Sequence, residues 1–230
     1  MSKIVSIETA TSVCAVALHE SGQLVASHEN RLEKSHSSHL LPELEHLLEV
    51  AGWQMKALDA VALSAGPGSY TGLRIGAATA KGICYGQDIP LISVSTLEAM
   101  ARQLTYKTPS ESRLVPMIDA RRMEVYYCMT DNKGNLISEP APKVIDENSF
   151  SEELRDHPVY FFGNGASKCK EVLAHQSNAT FIEGVHPGAH TVGEIAYEKY
   201  LKQDFENTVY FEPVYLKEFM VKKPSGKTKV

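Results

Sequence analysis

Ala60–Ser64 and Ala65–Ile83 read AVALS and AGPGSYTGLRIGAATAKGI. The first is a short apolar run of the length expected for a buried strand. Gly66-Pro67-Gly68-Ser69-Tyr70-Thr71-Gly72 then breaks it with turn residues. From Leu73 to Tyr85 the chain is rich in alanine and glycine, which predicts a helix slim enough to pack closely on a sheet. Strand, glycine loop and helix in that order form an α/β unit. The glycines between Gly66 and Gly76 allow backbone N–H groups to approach a phosphate or a partner closely. Two known loop types are excluded. Leu73-Arg74 stand where a P-loop needs lysine and a hydroxyl residue, and Thr71 takes the place of the third glycine of a dinucleotide fingerprint. Spacing alone leaves two readings, a tight strand-to-helix turn or a ligand loop.

Upstream, Lys3–Ile7 reads as a strand. Val13–Leu18 and Leu24–His28 follow as a hairpin across Glu20-Ser21-Gly22-Gln23. Leu40, Leu41, Leu44, Leu47, Leu48 and Ala51 recur at helical spacing until Gly52, with Ser37 or Ser38 as candidate cap. Pro42 is tolerable only near the first turn of that helix. Downstream of the glycine loop come a strand at Leu91–Val94 and a helix at Ser95–Gln103. The second half repeats the order in outline. Leu114–Ile118 is a strand, and Val125–Thr130 with Leu136–Ser138 form a hairpin. A helix near Ser149–Leu154, a strand at Val159–Phe162, the loop Gly163-Asn164-Gly165-Ala166 and a helix through Leu173 come next. Thr180–Ile182 is expected as a last strand and Thr191–Gln203 as a last helix, Thr191 capping it with Glu194 at the capping-box position. Two related α/β lobes are therefore expected. The polar, proline-containing stretch Thr105–Arg113 is the boundary: 1–104 and 105–221, the last helix placed to pack back on the first lobe, then a basic tail at 222–230.

The 230 residues are 43% hydrophobic and 22% charged, proportions that predict a packed core rather than a disordered chain. Net charge is −5, although Lys222–Val230 alone carries four lysines. An acidic body is a poor generic phosphate binder, and the tail is expected to be solvated. Cys14, Cys84, Cys128 and Cys169 show no C-x-x-C spacing, so neither a zinc ribbon nor a thioredoxin-like site is indicated. Cys14 and Cys84 sit in apolar stretches as buried thiols. With no long apolar run, the expected compartment is the reducing cytoplasm, with no membrane contact. His36 and His39 share a helix face but lack further metal ligands, and neither His19-Glu20 nor His28-Glu29 opens an H-E-x-x-H motif. Ser69 lies in Gly-Ser-Tyr-Thr-Gly, not in a nucleophile elbow. Asp119, at a strand end before Arg121-Arg122, is expected to ion-pair with a neighbouring arginine.

Four segments together, ETAT at Glu8–Thr11, the Ala65–Ile83 run, ISVSTLEAMA at Ile92–Ala101 and MIDARRMEVYY at Met117–Tyr127, resemble the TsaB (YeaZ) branch of the Kae1/TsaD/YeaZ, glycoprotease M22-like family. FFGNGA at Phe161–Ala166 and EPVYL at Glu212–Leu216 fit it more loosely. The resemblance implies the actin-like ATPase (ASKHA) fold with two RNase H-like lobes. It implies a non-catalytic scaffold that binds and activates TsaD for threonylcarbamoyl transfer to adenosine 37 of tRNA. The partners so implied are TsaD and the ATPase TsaE, with a homodimer when alone and tRNA reached only through the complex. No intrinsic metal or cofactor is implied; ATP or ADP would bind, if at all, at the interface of the complex.

Carried onto this sequence, the family's partner surface is the first two helices, Ser37–Val50 and Thr71–Tyr85, with the Gly66–Gly72 loop at their edge. It takes in His39, Leu40, Glu43 and Leu47 from the first of them. The glycine loop adds Gly66, Pro67, Gly68, Ser69, Tyr70, Thr71 and Gly72, and the second helix adds Arg74, Ile75, Ala78, Thr79 and Gly82. The small residues at 77–80 suit close helix approach. Thr9, Ala10 and Thr11, with Gly163, Asn164 and Gly165, are the candidate nucleotide contacts. Glu8 stands where the superfamily loop often begins with Asp; the displaced carboxylate speaks against a metal role. The alternatives are an ATP-dependent kinase or metallopeptidase of the same superfold, and an RNA-binding module using the lysine tail.

Overall fold

A computed structural model of the chain describes residues 1–31 and 36–217. The His36 side chain and the tail at 222–230 lie outside the described residues, and so do the expectations made for them. The order of strands follows from which of them are apolar on both faces. β1 (Lys3–Glu8) is buried from Ile4 onward, and β4 (Ala60–Ser64) throughout. Both therefore run in the middle of a sheet. β2 (Cys14–Glu20) and β3 (Gln23–Asn30) add on one side and β5 (Leu91–Val94) on the other, in the order β3-β2-β1-β4-β5. β1 pairs antiparallel with β2 and parallel with β4.

The second half builds the same sheet again. β6 (Arg113–Asp119), β7 (Glu124–Asp131), β8 (Leu136–Val144), β9 (Val159–Phe162) and β10 (Ala179–Ile182) are ordered β10-β9-β6-β7-β8. In each sheet a three-stranded antiparallel meander carries two parallel strands on its other edge. Pro116 occupies the centre of β6, where it cannot donate to the ladder, and the pairing with β7 lapses beside it. Pro140 and Pro142 sit on β8, an edge strand. β8 runs to Val144, six residues beyond the end expected from sequence.

Helices cover the sheets. α1 (His36–Val50) and α2 (Tyr70–Gln87) pack on one face of the first sheet, burying Leu40, Leu44, Leu47 and Leu48 against Val5, Val16, Leu18 and Leu63. Ser37 and Ser38 fall inside α1, so neither is the cap. Pro42 lies in its second turn rather than its first, with one ladder bond missing there. Leu41 is exposed, unlike its periodic neighbours. α4 (Ser151–Asp156) and α5 (Ala166–Leu173) cover the second sheet around Phe150, Phe161 and Phe181.

α3 (Thr96–Arg102) stands between the lobes. Ala99 faces the first sheet, while Leu97, Met100 and Ala101 face Leu114, Ile118 and Phe162 of the second. α6 (Ala189–Leu201) lies on the first sheet, its Val192 and Ala196 against Ile4, Ala62 and Ile92. It starts two residues before the expected cap. The Thr191 hydroxyl donates to the Gly188 carbonyl at 3.2 Å, whereas an N-cap oxygen must accept from an N–H; the expected capping box does not form.

Two ionisable groups are folded into this first sheet. Burial pushes the Glu8 carboxyl up from 4.5 to about 7 and the His19 imidazole down from 6.5 to about 4. Folding holds the Glu8 proton more tightly than the unfolded chain does, so its contribution to stability is lost as pH rises from 4.5 to about 7. His19 has the opposite sign: its contribution is present above 6.5 and is lost as pH falls towards 4. The size for Glu8 corresponds to about 3 kcal/mol. The two slopes oppose one another between pH 4.5 and 6.5. Thermal melts across this window are therefore expected to rise with pH in Glu8→Gln and to fall with pH in His19→Gln.

Candidate functional site

The glycine loop closes onto the loop that follows β1. Ser69 N–H donates to the Ala10 carbonyl at 2.6 Å. A Cβ at Gly68 would overlap that same carbonyl, one at Gly72 would overlap the Thr9 carbonyl oxygen, and one at Gly76 would overlap the Thr9 hydroxyl. Three glycines spaced four apart thus let α2 and its leading loop press against Thr9-Ala10. The Gly66–Pro67 bond is cis, and Gly66 holds φ +111°. Gly66 N–H donates to the Thr96 hydroxyl at 3.2 Å, and its carbonyl accepts from Thr96 N–H at 2.9 Å. The Thr96 hydroxyl also lies 3.1 Å from the Ser64 hydroxyl. At the head of α2, the Ser69 hydroxyl accepts from Gly72 N–H, capping the helix.

The amides of Gly66, Ser69 and Gly72 are bonded within the protein, and the loop packs directly on Thr9-Ala10. The segment is built as a tight strand-to-helix turn. Thr9 and Ala10, two candidate nucleotide contacts, are buried beneath it. Thr11 accepts from Val13 N–H through its hydroxyl at 3.2 Å. Glu8 Oε1 accepts from Ala10 N–H at 2.6 Å, and the whole side chain is enclosed.

The second lobe repeats the device. Gly163 has φ +97°, and a Cβ there would overlap the Met117 carbonyl oxygen. Gly165 N–H donates to that carbonyl at 3.0 Å, and a Cβ on Gly165 would lie 2.9 Å from the Ile118 carbonyl carbon. The exposed Asn164 side chain accepts from Asp119 N–H at 3.0 Å. Met100 of α3 reaches the Gly163 position, so one short helix braces both glycine loops.

Asp119 does not pair with an arginine side chain. Its carboxylate is bound by the Lys168 ammonium, which also donates to the Arg122 and Glu124 carbonyls at 2.7 Å each. Partial burial works against ionisation, but Lys168 and the Arg121 N–H hold the Asp119 carboxyl below its usual range. Arg121 and Arg122 are both left-handed, with φ +69° and +53°. Nothing in the sequence pairs Lys168 with a residue 49 positions away; the structure does.

Of the expected partner surface, His39, Ser69, Thr71, Arg74, Ala78 and Gly82 are exposed, and Glu43, Gly68, Tyr70, Ile75 and Thr79 are partly so. Leu40, Leu47, Gly66, Pro67 and Gly72 are buried, because they form the lobe's own core and the glycine turn. Thr71, Arg74, Ala78, Gly82 and Tyr85 make one exposed stripe along α2. Tyr85, the last residue of the expected span on the second helix, is 88% exposed and belongs to the same stripe. The Arg74 guanidinium lies over the Tyr70 ring, 4.4 Å from its centroid. All four cysteines are free and buried, Cys14 and Cys84 as expected. No helix among the described residues is long and apolar enough to cross a membrane.

If the glycines serve contact with Thr9-Ala10, substitution should sort by position. Gly72→Ala is expected to cost about 2–3 kcal/mol, since the neighbour is rigid backbone. Gly82→Ala, with nothing within 4 Å of its new methyl group, should instead add about 0.5–1 kcal/mol through helix propensity. Urea unfolding of the two variants beside the parent chain measures both.

Residues 30–224 match the family model of TsaD, tRNA N6-adenosine threonylcarbamoyltransferase. The chain is 30% identical to tRNA threonylcarbamoyladenosine biosynthesis protein TsaB of Escherichia coli K12 over 220 residues, covering 94% of each. It superposes on YeaZ from Pseudomonas aeruginosa with a TM-score of 0.78 at 26% identity, over 94% of this chain and all of that one. At 10% identity it shares its fold with component A of the Acidaminococcus fermentans (R)-2-hydroxyglutaryl-CoA dehydratase, with a TM-score of 0.53 over 87% of this chain and all of that one. The architecture is the actin-like ATPase fold, and the chain belongs to the TsaB/YeaZ branch of the TsaD/Kae1 (M22) family.

Proposed function

We propose that the chain is a non-catalytic scaffold subunit of tRNA threonylcarbamoyladenosine synthesis, which binds a TsaD-type transferase and activates it towards adenosine 37 of tRNA. The observation that carries this reading is the close packing of both glycine loops on the chain's own backbone, in a protein alike over nearly its whole length to TsaB. A loop whose amides bond to Ala10 and Thr96 fixes the pose of α2. What α2 then offers outward is a surface.

That surface suits a helix-to-helix contact. Ala78 and Gly82 are small and exposed, so another backbone can come close. Arg74 and Tyr85 flank them with a cation and an aromatic ring, residue types enriched where partners bind. Leu41 and Val50 of the adjoining α1 are also exposed, at 47% and 66%. In the absence of its partner, the same stripe would bury itself against a second copy of the chain. A TsaE-type ATPase joins through the resulting pair, and tRNA is met through the assembled complex, not by the acidic body of this chain.

Ala78→Arg tests the assignment without disturbing the core, because residue 78 is exposed and helical. The variant should melt within about 0.5 kcal/mol of the parent. It should lose association with the TsaD-type protein of the same organism by about 100-fold or more, the loss expected when a central interface position is overfilled. Size-exclusion chromatography with light scattering reads the complex, and a reconstituted tRNA threonylcarbamoylation assay reads the activity. Unchanged binding and full modification by Ala78→Arg would move the partner surface off α2.

A further inference from the structure

Residues 202–217 leave α6 and return across the first lobe to end on the second. Glu206 N–H donates to the Leu91 carbonyl at 2.8 Å, and its carboxylate accepts from the Ser93 hydroxyl. Lys81 of α2 donates to the carbonyls of Val209 and Phe211 at 3.0 and 3.1 Å, and the Phe211 ring enters the core under α1 and α2. Ala65 and Ser93 line an open pocket of about 280 Å³ together with Glu206, Phe211 and Val214 of this stretch. Val214 N–H then donates to the Ala65 carbonyl at 2.7 Å, immediately before the glycine loop. The Val214 carbonyl oxygen lies so close to Gly66 that a Cβ there would stand 2.6 Å from it. The Tyr215 ring meets Tyr70 with centroids 5.0 Å apart. Two residues later the segment crosses to the other lobe: Lys217 ion-pairs with Glu124 at the start of β7 and lies 5.8 Å from the Tyr126 ring centroid.

We propose that residues 212–217 are a latch across the mouth between the glycine loop of the first lobe and the β6–β7 turn of the second, with the Lys217–Glu124 pair as its release point. Backbone hydrogen bonds and a buried phenylalanine fasten the segment to the first lobe. Its hold on the second lobe is of another kind, a cation against a carboxylate and a ring. Side chains at that pair are 33% and 23% exposed, so salt screens the pair only in part and a change of charge on either side chain is what releases it. Anchorage is therefore firm on one side and breakable on the other. With the latch shut, the lobes keep one separation and the segment itself occupies the entrance that the two glycine loops face.

Pulsed electron spin resonance on the full chain tests it. Ser27 on β3 and Ser167 in the first turn of α5 are exposed and lie outside the α2 stripe, while all four native cysteines are buried. Spin labels on Ser27→Cys and Ser167→Cys, diluted with excess unlabelled chain so that distances between copies vanish, thus report the lobe separation selectively. A single narrow distance distribution is expected with the latch intact. In Lys217→Ala and in Glu124→Gln it should broaden towards longer distances, and hydrogen exchange of amides 121–126 should quicken several-fold. The exchanged pair Lys217→Glu with Glu124→Lys should restore both. Distributions in the single variants that match the parent would overturn the latch. So would broadening that charge exchange does not reverse, since it would locate the effect in local packing.

Discussion

Everything at the centre of this molecule depends on how closely α2 approaches the backbone at Thr9-Ala10. Gly68, Gly72 and Gly76 each meet that loop at a distance no side chain tolerates. The approach seats α2 on β1 and β4 and sets the tilt of its outer face. It also fastens the head of α3 through Thr96 and Gly66. Glycine here serves contact between two stretches of protein, and flexibility is lost in the process. The amides of Gly66, Ser69 and Gly72 donate to hydroxyls and a carbonyl of the chain itself.

The second lobe meets the same constraint with different residues. Gly163 and Gly165 press on Met117 and Ile118, the end of the strand equivalent to β1. Met100 stands at Gly163, and Thr96 stands at Gly66, one helical turn apart on α3. A seven-residue helix thereby links two loops that are nearly a hundred positions apart in sequence. Its apolar faces are divided between the two sheets, so the lobes share a core as well as a connection.

Enclosing Glu8 and His19 in the first sheet is a standing cost of this packing. A carboxylate and an imidazolium are both disfavoured there, and burial drives each towards its neutral form. Ala10 N–H, at 2.6 Å from Glu8 Oε1, and the Ser64 hydroxyl offset part of that burial. The acid that ends β1 is thus part of an interior. Where charge is exposed instead, it organises the second lobe's rim: Lys168 gathers Asp119 and the turn after β6, and Lys217 brings the C-terminal segment to Glu124.

Much of the fold was legible in the sequence. Alternation and apolar runs marked nine of the strands within a few residues, because strand faces repeat every second position and burial leaves that period in the composition. The duplicated order of elements was visible for the same reason, and so was the glycine loop between β4 and α2. Periodicity does not record which distant group fills a given space. That Thr9-Ala10 fills the glycine loop, that Lys168 rather than arginine takes Asp119, and that Pro42 is accommodated a turn deeper than expected all depend on contacts between remote segments. The Thr191 cap failed because the chain around Gly188 already lies on the first sheet, which starts α6 earlier than local signals ask. The residues by themselves determined two α/β lobes and the place of the turn; only tertiary packing decided that the turn rests on Thr9-Ala10, since contact is a property of neighbours brought together in space.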